Sequence, residues 1–571
     1  MCNLVGTAWI AKPGRAFFHI PTQIWLQGKS LRNSLPHLKI PPTRWILAGV
    51  ILLGIALRLY LLFGSQVIIE ADEALVGLQA FGILRGERPI FYPGQAYGGS
   101  LESYLVSAVF QLLGASPLTL KLIPFLFSTL FIFMTYQLAR EIYNPPIGLL
   151  SALFVALCPL LLTAFSLKTW GGYSQTPVLG NLALILLHRI LSRRAQDKRP
   201  WKATMGLGFL SGLGLWVNPQ YFYYLGPVLL LLLARTKRVG LAGLAAFAAG
   251  CPVGGLPLLL ANLSRSRGPT ANLILEGVVP ARDFWPSLKA AVSYFITDAL
   301  PTLWGLRPIK GELVVTAAFV VIPLYLAAML ASLWLVGRDL LARRYNPTIV
   351  LAATLILAPF VFILAALTNG NFTVIIPDSG ILARYLMPLY SVVPILLAAF
   401  IWRLRSFSRP LAVALVALVL AVNLWSNLSV DPVDAMHCVF VNVPLPASNK
   451  ALIDFLDGEN IRYVYTNHWI GFRLMFETRE RVVTFDYIDS LYGMDRLPQY
   501  GHQVEAAEVP PAYIIFNPGW KQTPPLEKRL QELGVSYEKK AFPPLEYIVY
   551  YRLSRQVHPS EVMEALVWPY Y

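Results

Sequence analysis

The stretch IIEADEALVGLQAFGILRGERPIFYPGQAYGGSLESYL, residues 68–105, decides how the chain is read. It follows an apolar run at 45–63 that is long enough to cross a bilayer, which takes about 20 residues. It opens on three acids, Glu70, Asp72 and Glu73, with Glu87 and Glu102 further along. Between Asp72 and Leu84, apolar residues at Leu75, Leu78 and Ile83 alternate with polar ones. That pattern predicts a helix with Gly86 as its stop. The glycine-rich run Gly94–Ser100 then predicts an irregular turn that uses positive φ. It returns the chain to Glu102, at the head of a short apolar stretch, 101–114.

The rest of the chain fits a membrane setting. Of 571 residues, 56% are hydrophobic and only 14% are charged, against about 25% charged in a soluble domain. Mean hydropathy is +0.56. This excludes a cytosolic enzyme, a collagen and a disordered chain, and predicts a polytopic α-helical membrane protein. Cys2, Cys158, Cys251 and Cys438 form no CxxC pair, and the seven histidines show no ligand spacing. Metal chemistry built on Cys or His is not expected.

Eleven runs have the length and composition of spans: 45–63, 118–139, 147–165, 176–192, 203–218, 220–234, 239–261, 313–336, 348–367, 384–402 and 410–427. The net charge is +16, and the placement of the basic residues settles the orientation of the spans. Residues 1–44 carry Lys12, Arg15, Lys29, Arg32, Lys39 and Arg44 and no acid, so the N-terminus is read as cytoplasmic. If 101–114 lies along the outer surface without crossing, the basic loops 193–202, 235–238, 337–347 and 403–409 all fall on the cytoplasmic side. The basic excess is then a topology signal and a contact for anionic membrane lipids, not a nucleic-acid footprint. Residues 1–40 lack the apolar core and cleavage site of a signal peptide and read as a poorly ordered basic tail.

Three regions follow: a basic cytoplasmic tail, 1–44; a transmembrane part, 45–427, whose first outer loop is 64–117; and an extracytoplasmic part, 428–571. In the last, apolar runs at Ile461–Thr466, Val482–Phe485, Tyr513–Phe516 and Tyr547–Tyr551 alternate with helix-like segments 449–457 and 525–533. That alternation predicts a small α/β domain. Its lone Cys438 gives it no internal disulfide.

Acids in an outer loop are often solvated residues with no further role. Here they abut an apolar span among glycines and aromatics, where partial desolvation raises a carboxyl pKa and suits it to general-base work. Cations at the outer ends of spans are the second signal: Arg58, Lys168 in SLKTWGGYSQ (166–175) and Arg384 in LARYLMPLYSVVP (382–394). Snorkelling to headgroups accounts for such residues. So does a phosphate clamp, in which Arg offers a planar fork and Lys a point charge.

These residues carry a resemblance. Asp72-Glu73-Ala74 past the first span, Ile83–Gly86 through Pro89, Gly99–Leu105 leading into Leu112-Leu113-Gly114, Ala139–Tyr143 and Arg384–Pro388 occur in the order and spacing of a known group. Over roughly 45–430 the chain resembles the GT-C superfamily of integral-membrane glycosyltransferases. It is most similar to the bacterial family 39-like members related to protein O-mannosyltransferases and the lipid A aminoarabinose transferase. The resemblance implies an inverting transfer of a sugar from a polyprenyl-phosphate donor to an acceptor hydroxyl, at the outer face of a bacterial inner membrane. The acceptor would be a glycan, a lipid or a protein. The resemblance maps the base onto Asp72, with Glu73 beside it. The second loop acid falls near Tyr97 and is taken as Glu102, although GGSLES replaces the family's proline-rich segment. Arg58, Tyr97, Lys168, Tyr173, Arg384 and Tyr385 are the implied substrate-binding residues. The second loop, with Tyr173 and Gln175, lacks the acidic pair of the oligosaccharyltransferase branch, so no metal cofactor is expected. A polyprenyl phosphate leaves as a stable anion, so the chemistry asks for cations and a base and for no general acid.

Two other classes compete with this reading. A secondary transporter would place ionisable groups near the bilayer midplane on broken helices. Here the span interiors hold almost no acids. A non-catalytic membrane protein that binds a lipid carrier is the other alternative.

Overall fold

The computed structural model describes residues 42–95, 98–192, 200–263, 284–308, 312–368, 381–437, 446, 448–487, 496–517, 524–543 and 546–566. The basic tail 1–40, Tyr97 and Cys438 lie outside the described residues. The chain divides into a short unit, Met1–Trp45, and a large body, Ile46–Tyr571.

Most of the body is helical. Among the described residues, five helices are long and apolar enough to cross a membrane: α1 (Thr43–Gly64), Pro117–Ile142, Val315–Leu341, Ile349–Leu367 and Arg409–Leu428. Two bent pairs raise the number to seven. Thr236–Gly254 and Leu256–Leu263 meet at 72°, and Leu382–Ser391 and Val393–Leu404 meet at 51°. Several expected spans are therefore interrupted. The run 147–165 breaks into Pro145–Ala156 and Leu160–Phe165, because Pro159 between them has no N–H to continue the ladder. The run 384–402 starts as a 3₁₀ helix, Ile381–Ser391, with Pro388 inside it.

Close helix packing rests on glycines where the backbones meet. Helices Pro200–Val217 and Thr236–Gly254 interlock through Gly208 and Gly212 on one side and Gly250 and Gly254 on the other. A Cβ at any of the four would run into a backbone carbonyl of the partner: Phe247, Cys251, Met205 and Phe209 respectively. Small residues spaced four apart are the usual device for such approach between apolar helices, where the hydrophobic effect gives no help.

Two short helices precede the second long span: α2 (Ala71–Leu84), which begins at the acidic motif, and α3 (Leu101–Leu113). They form the outer-loop platform. Tyr92 N–H bonds to Gly98 O, and Ser100 N–H bonds to Ile90 O, closing the loop between them.

The expected α/β domain is present after the last long helix. Five strands, β1 (Tyr463–Thr466), β2 (Val483–Asp486), β3 (Ala512–Phe516), β4 (Glu538–Phe542) and β5 (Tyr547–Tyr551), form a mixed sheet in the order β2-β1-β3-β5-β4. β1 is parallel to β2 and β3, whereas β5 is antiparallel to β3 and β4. Strands β1, β2, β3 and β5 fall on the four expected apolar runs. β4 was not expected, because its sequence EKKAF is mostly exposed. It is an edge strand, and its charges keep other chains from pairing with that edge.

The sheet domain docks on the platform through helix His468–Glu477. Phe476 stacks on Phe81 of α2 (5.6 Å between ring centres, 14° between planes) and approaches Phe110 of α3 (6.0 Å). Gly77 leaves room for the Phe476 ring, which a Cβ would strike. Arg85 adds an ion pair to Glu480 and a 3.4 Å bond to the Tyr500 hydroxyl.

The glycine zipper makes a sharp prediction. Gly212→Ala forces two backbones apart and should cost about 1–3 kcal/mol or more as overpacking. Gly49→Ala in α1 meets nothing within 4 Å and should be neutral or stabilise by up to about 1 kcal/mol through helix propensity. Apparent melting temperatures of the two purified variants would show this difference, and equal values would contradict the packing.

Candidate active site

The acidic motif is fixed from below by two lysines. Glu73 accepts a hydrogen bond from Lys121 Nζ and another, at 3.0 Å, from Thr169 N–H. Its other oxygen faces Glu70 N–H at 3.4 Å, at the start of α2. Glu70 takes Lys168 Nζ at 2.5 Å, and the same ammonium donates to Met436 O at 2.6 Å. All four side chains are buried. Burial raises the Glu70 carboxyl above its ordinary value, with Lys168 opposing and the charges of Glu73 and Asp72 adding to the rise.

Glu102 is tied to the second loop. Gly171 and Gly172 have φ of 66° and 95°, open to glycine at little cost. Their consecutive N–H groups both point at Glu102 Oε2, at 2.6 and 3.1 Å. Gln175 Nε2 donates to the other oxygen at 3.1 Å. The pocket leaves the carboxyl with a pKa of about 7, burial being the main cause and the three hydrogen bonds holding it down.

Asp72 differs. Its side chain is 26% exposed, against 2% for Glu70, 0% for Glu73 and 1% for Glu102. Arg496 Nη1 donates to Asp72 Oδ1 at 2.9 Å. The Tyr92 hydroxyl donates to Asp72 O at 2.7 Å and touches Oδ1 at 3.4 Å. Burial and the nearby Asp72 charge keep the Tyr92 phenol well above its ordinary pKa, so it stays a donor.

The expected cations separate in space. Lys168, Tyr173, Arg384 and Tyr385 gather around Trp170. Lys168 Nζ lies 4.8 Å from the indole centre, and the Arg384 guanidinium lies 5.1 Å from both the indole and the Tyr385 ring. Tyr173 meets the indole edge-on at 6.0 Å. Arg384 Nη2 also reaches the Tyr385 hydroxyl at 3.4 Å. Arg58 is not brought to this group. It is fully buried between helices, bonded to Ser128 and to the carbonyls of Gly54, Ala156 and Val155. Two of those carbonyls end helix Pro145–Ala156, so the cation satisfies a helix C-terminus.

Sequence reasoning passed over Lys121, Trp170 and Arg496 as site residues. The pairing of Lys121 with Glu73 spans 48 residues, and Arg496 lies 424 residues from Asp72. No local pattern signals either. Trp170 lies within the quoted SLKTWGGYSQ segment, and its GG neighbour was the available signal.

Comparisons with known proteins agree with this architecture. Residues 100–253 match the family described as dolichyl-phosphate-mannose-protein mannosyltransferase. The structure of ArnT from Cupriavidus metallidurans bound to undecaprenyl phosphate is similar, with a TM-score of 0.56 and 14% identity over 88% of this chain and 98% of that one. The same protein in the apo state gives 0.56 and 12% over the same shares. The apo oligosaccharyltransferase of Archaeoglobus fulgidus gives 0.47 and 14%, over 84% and 70%. At such identities the likeness is one of fold. No curated protein matches the chain at a significant level. The chain is thus an integral-membrane protein with several apolar spans and an ArnT-like fold, and its residues 100–253 are similar to the mannosyltransferase family.

Glu102 allows a test of its surroundings. Its carboxyl ionises near pH 7 when folded and near 4.5 when free. Folding therefore favours the protonated form, and that contribution is full below about pH 4.5 and fades as the pH rises through 7. Glu102→Gln, neutral throughout, should flatten the fall in apparent melting temperature between pH 5 and 7.5. An unchanged slope would show Glu102 already ionised at the lower pH.

Proposed function

We propose that the protein transfers a sugar from a polyprenyl-phosphate donor to an acceptor hydroxyl, with inversion, at the outer face of a bacterial inner membrane, and that Asp72 is the base. The observation that carries this reading is the division of labour among the acids. Glu70, Glu73 and Glu102 are buried and bonded within the protein, whereas Asp72 alone of the four reaches solvent. ArnT, whose fold this chain shares, has been captured with undecaprenyl phosphate, and the matched family is described by a dolichyl-phosphate donor.

In this reading the acceptor oxygen attacks the anomeric carbon from the face opposite the phosphate. The carbon–oxygen bond to phosphate breaks, its electron pair leaves with the phosphate, and the acceptor proton passes to Asp72. Arg384, held over the rings of Trp170 and Tyr385, is the cation for the leaving group. Lys168 already serves Glu70 and Met436 O, so it acts through the motif more than on phosphate. We read eleven crossings, with 428–571 outside. Helices Gln175–Ser192, Pro200–Val217 and Pro219–Ala234 and the broken run 147–165 supply those beyond the long spans and bent pairs.

The test uses purified full-length protein in lipid nanodiscs. The donor is polyprenyl-phosphate sugar extracted from the native host, and that host's envelope fraction is the acceptor. Asp72→Asn keeps the shape but cannot take the proton, so release of polyprenyl phosphate should slow by about a hundredfold or more. Binding of undecaprenyl phosphate should be unchanged. Near-normal release would remove Asp72 as base. Arg384→Ala should instead weaken undecaprenyl phosphate binding by about tenfold to a hundredfold, the scale of one charge-assisted bond. Arg384→Lys should recover part of it, because Lys lacks the planar fork. Unchanged affinity in the Ala variant would leave Arg384 as a span anchor only.

A further inference from the structure

We propose that Arg496 is a positioning residue for Asp72, and that the sheet domain thereby forms part of the catalytic centre. The inference rests on the reading of Asp72 as base.

Three observations carry it. First, the ion pair joins the two parts of the body at the place where chemistry is expected. Arg496 Nη1 lies 2.9 Å from Asp72 Oδ1, and both side chains are partly open to solvent, 19% and 26%. A partly solvated ion pair adds little to stability by itself, so its place beside the expected base is the informative fact. Second, the outer loop is shaped to receive this side chain. Gly94 has φ of +72°, and a Cβ on it would come 2.6 Å from Arg496 Cγ and 3.1 Å from its Cα. Third, the docking contacts fix the sheet domain close to Arg496 in the chain. Phe476 stacks on Phe81, and Arg85 engages Glu480 and Tyr500, with Tyr500 one turn along the helix that follows Arg496.

The geometry also gives the arrangement a purpose. Arg496 and Tyr92 both bond to Oδ1. They fix the plane of the carboxylate and present Oδ2 as the oxygen that takes the acceptor proton. Arg496 further lines a cleft between α2 and the sheet domain, together with Gln79, Glu87, Gln499 and Tyr500. Asp72 adjoins that cleft through its bond to Arg496. Arg496 touches neither donor carbon nor phosphate in this account and acts through Asp72.

The test compares Arg496→Ala and Arg496→Lys in the full chain, in the nanodisc assay with extracted donor and envelope acceptor. Arg496→Ala should lower the rate at saturating donor by about tenfold to a hundredfold, as the loss of one charge-assisted bond predicts. Undecaprenyl phosphate affinity and apparent melting temperature should stay as in the parent. Arg496→Lys should restore part of the rate. A normal rate in Arg496→Ala, or a loss matched by a fall in melting temperature and not recovered by Lys, overturns the proposal. Asp72→Asn, run beside them, separates the two ideas. If it is inactive while Arg496→Ala is normal, only the role of Arg496 falls. If it is active, the reading of Asp72 as base falls and takes this proposal with it.

Discussion

Two buried carboxylate–lysine pairs, Glu73 with Lys121 and Glu70 with Lys168, are the constraint on which the outer face depends. Removing one partner from such a pair leaves an uncompensated buried charge, at a cost of about 3–5 kcal/mol. The pairs therefore act as obligatory joints. One joins the acidic motif to the start of the second long span, and the other joins it to the second loop and, through Met436 O, to the chain leaving the last long helix. Thr169 N–H on Glu73 completes the link. With three segments bound to one short motif, α2 has a single direction to take. Asp72, between the two anchored glutamates, is held at the surface of the platform as a consequence.

The same logic explains the glycine pair in the second loop. Among the described residues, Glu102 at the head of α3 meets no cation in the manner of Glu70 and Glu73; it is met by two backbone N–H groups and a side-chain amide. Successive N–H groups that converge in this way form a small anion-binding concavity. Gly171 and Gly172 are the residues that let the backbone turn so. Glu102 thus orients the segment bearing Trp170 and Tyr173, the aromatic wall against which Arg384 rests. An acid that resemblance would place in catalysis works here, in geometry, as a clasp between the two outer loops.

How much of this was legible follows from the range of each interaction. The helix α2, its stop near Gly86 and four of the five strands follow from patterns within a dozen residues, and each was readable. β4 was not, because EKKAF buries only its last residue and owes its place to pairing with β5. The interrupted spans at 147–165 and 384–402 carry prolines that marked the breaks, but hydropathy averages over them. For the site, residue types were readable and partners were not. Asp72 and Glu73 are adjacent in sequence with the same charge, yet one is partly open to solvent and paired with Arg496 and the other is sealed against Lys121. Only the tertiary structure distinguishes them.

Arg58 and Arg384 show the same principle for cations. Both stand near the outer ends of apolar helices, and the sequence gives each an equal claim on phosphate. Arg58 spends its donors on a helix C-terminus and a serine, in a position no headgroup can approach. Arg384 is braced by the rings of Trp170 and Tyr385, a contact that orients a guanidinium through its face. An arginine can serve a ligand only when its orientation is fixed by groups that do not compete for the same hydrogen bonds. Aromatic faces meet that condition and carbonyls do not, so the difference between a structural and a functional cation lies in what surrounds it. By the same reasoning Lys168, which meets a carboxylate and a carbonyl, belongs with Arg58 in holding the scaffold, and the proposed phosphate contact rests on Arg384.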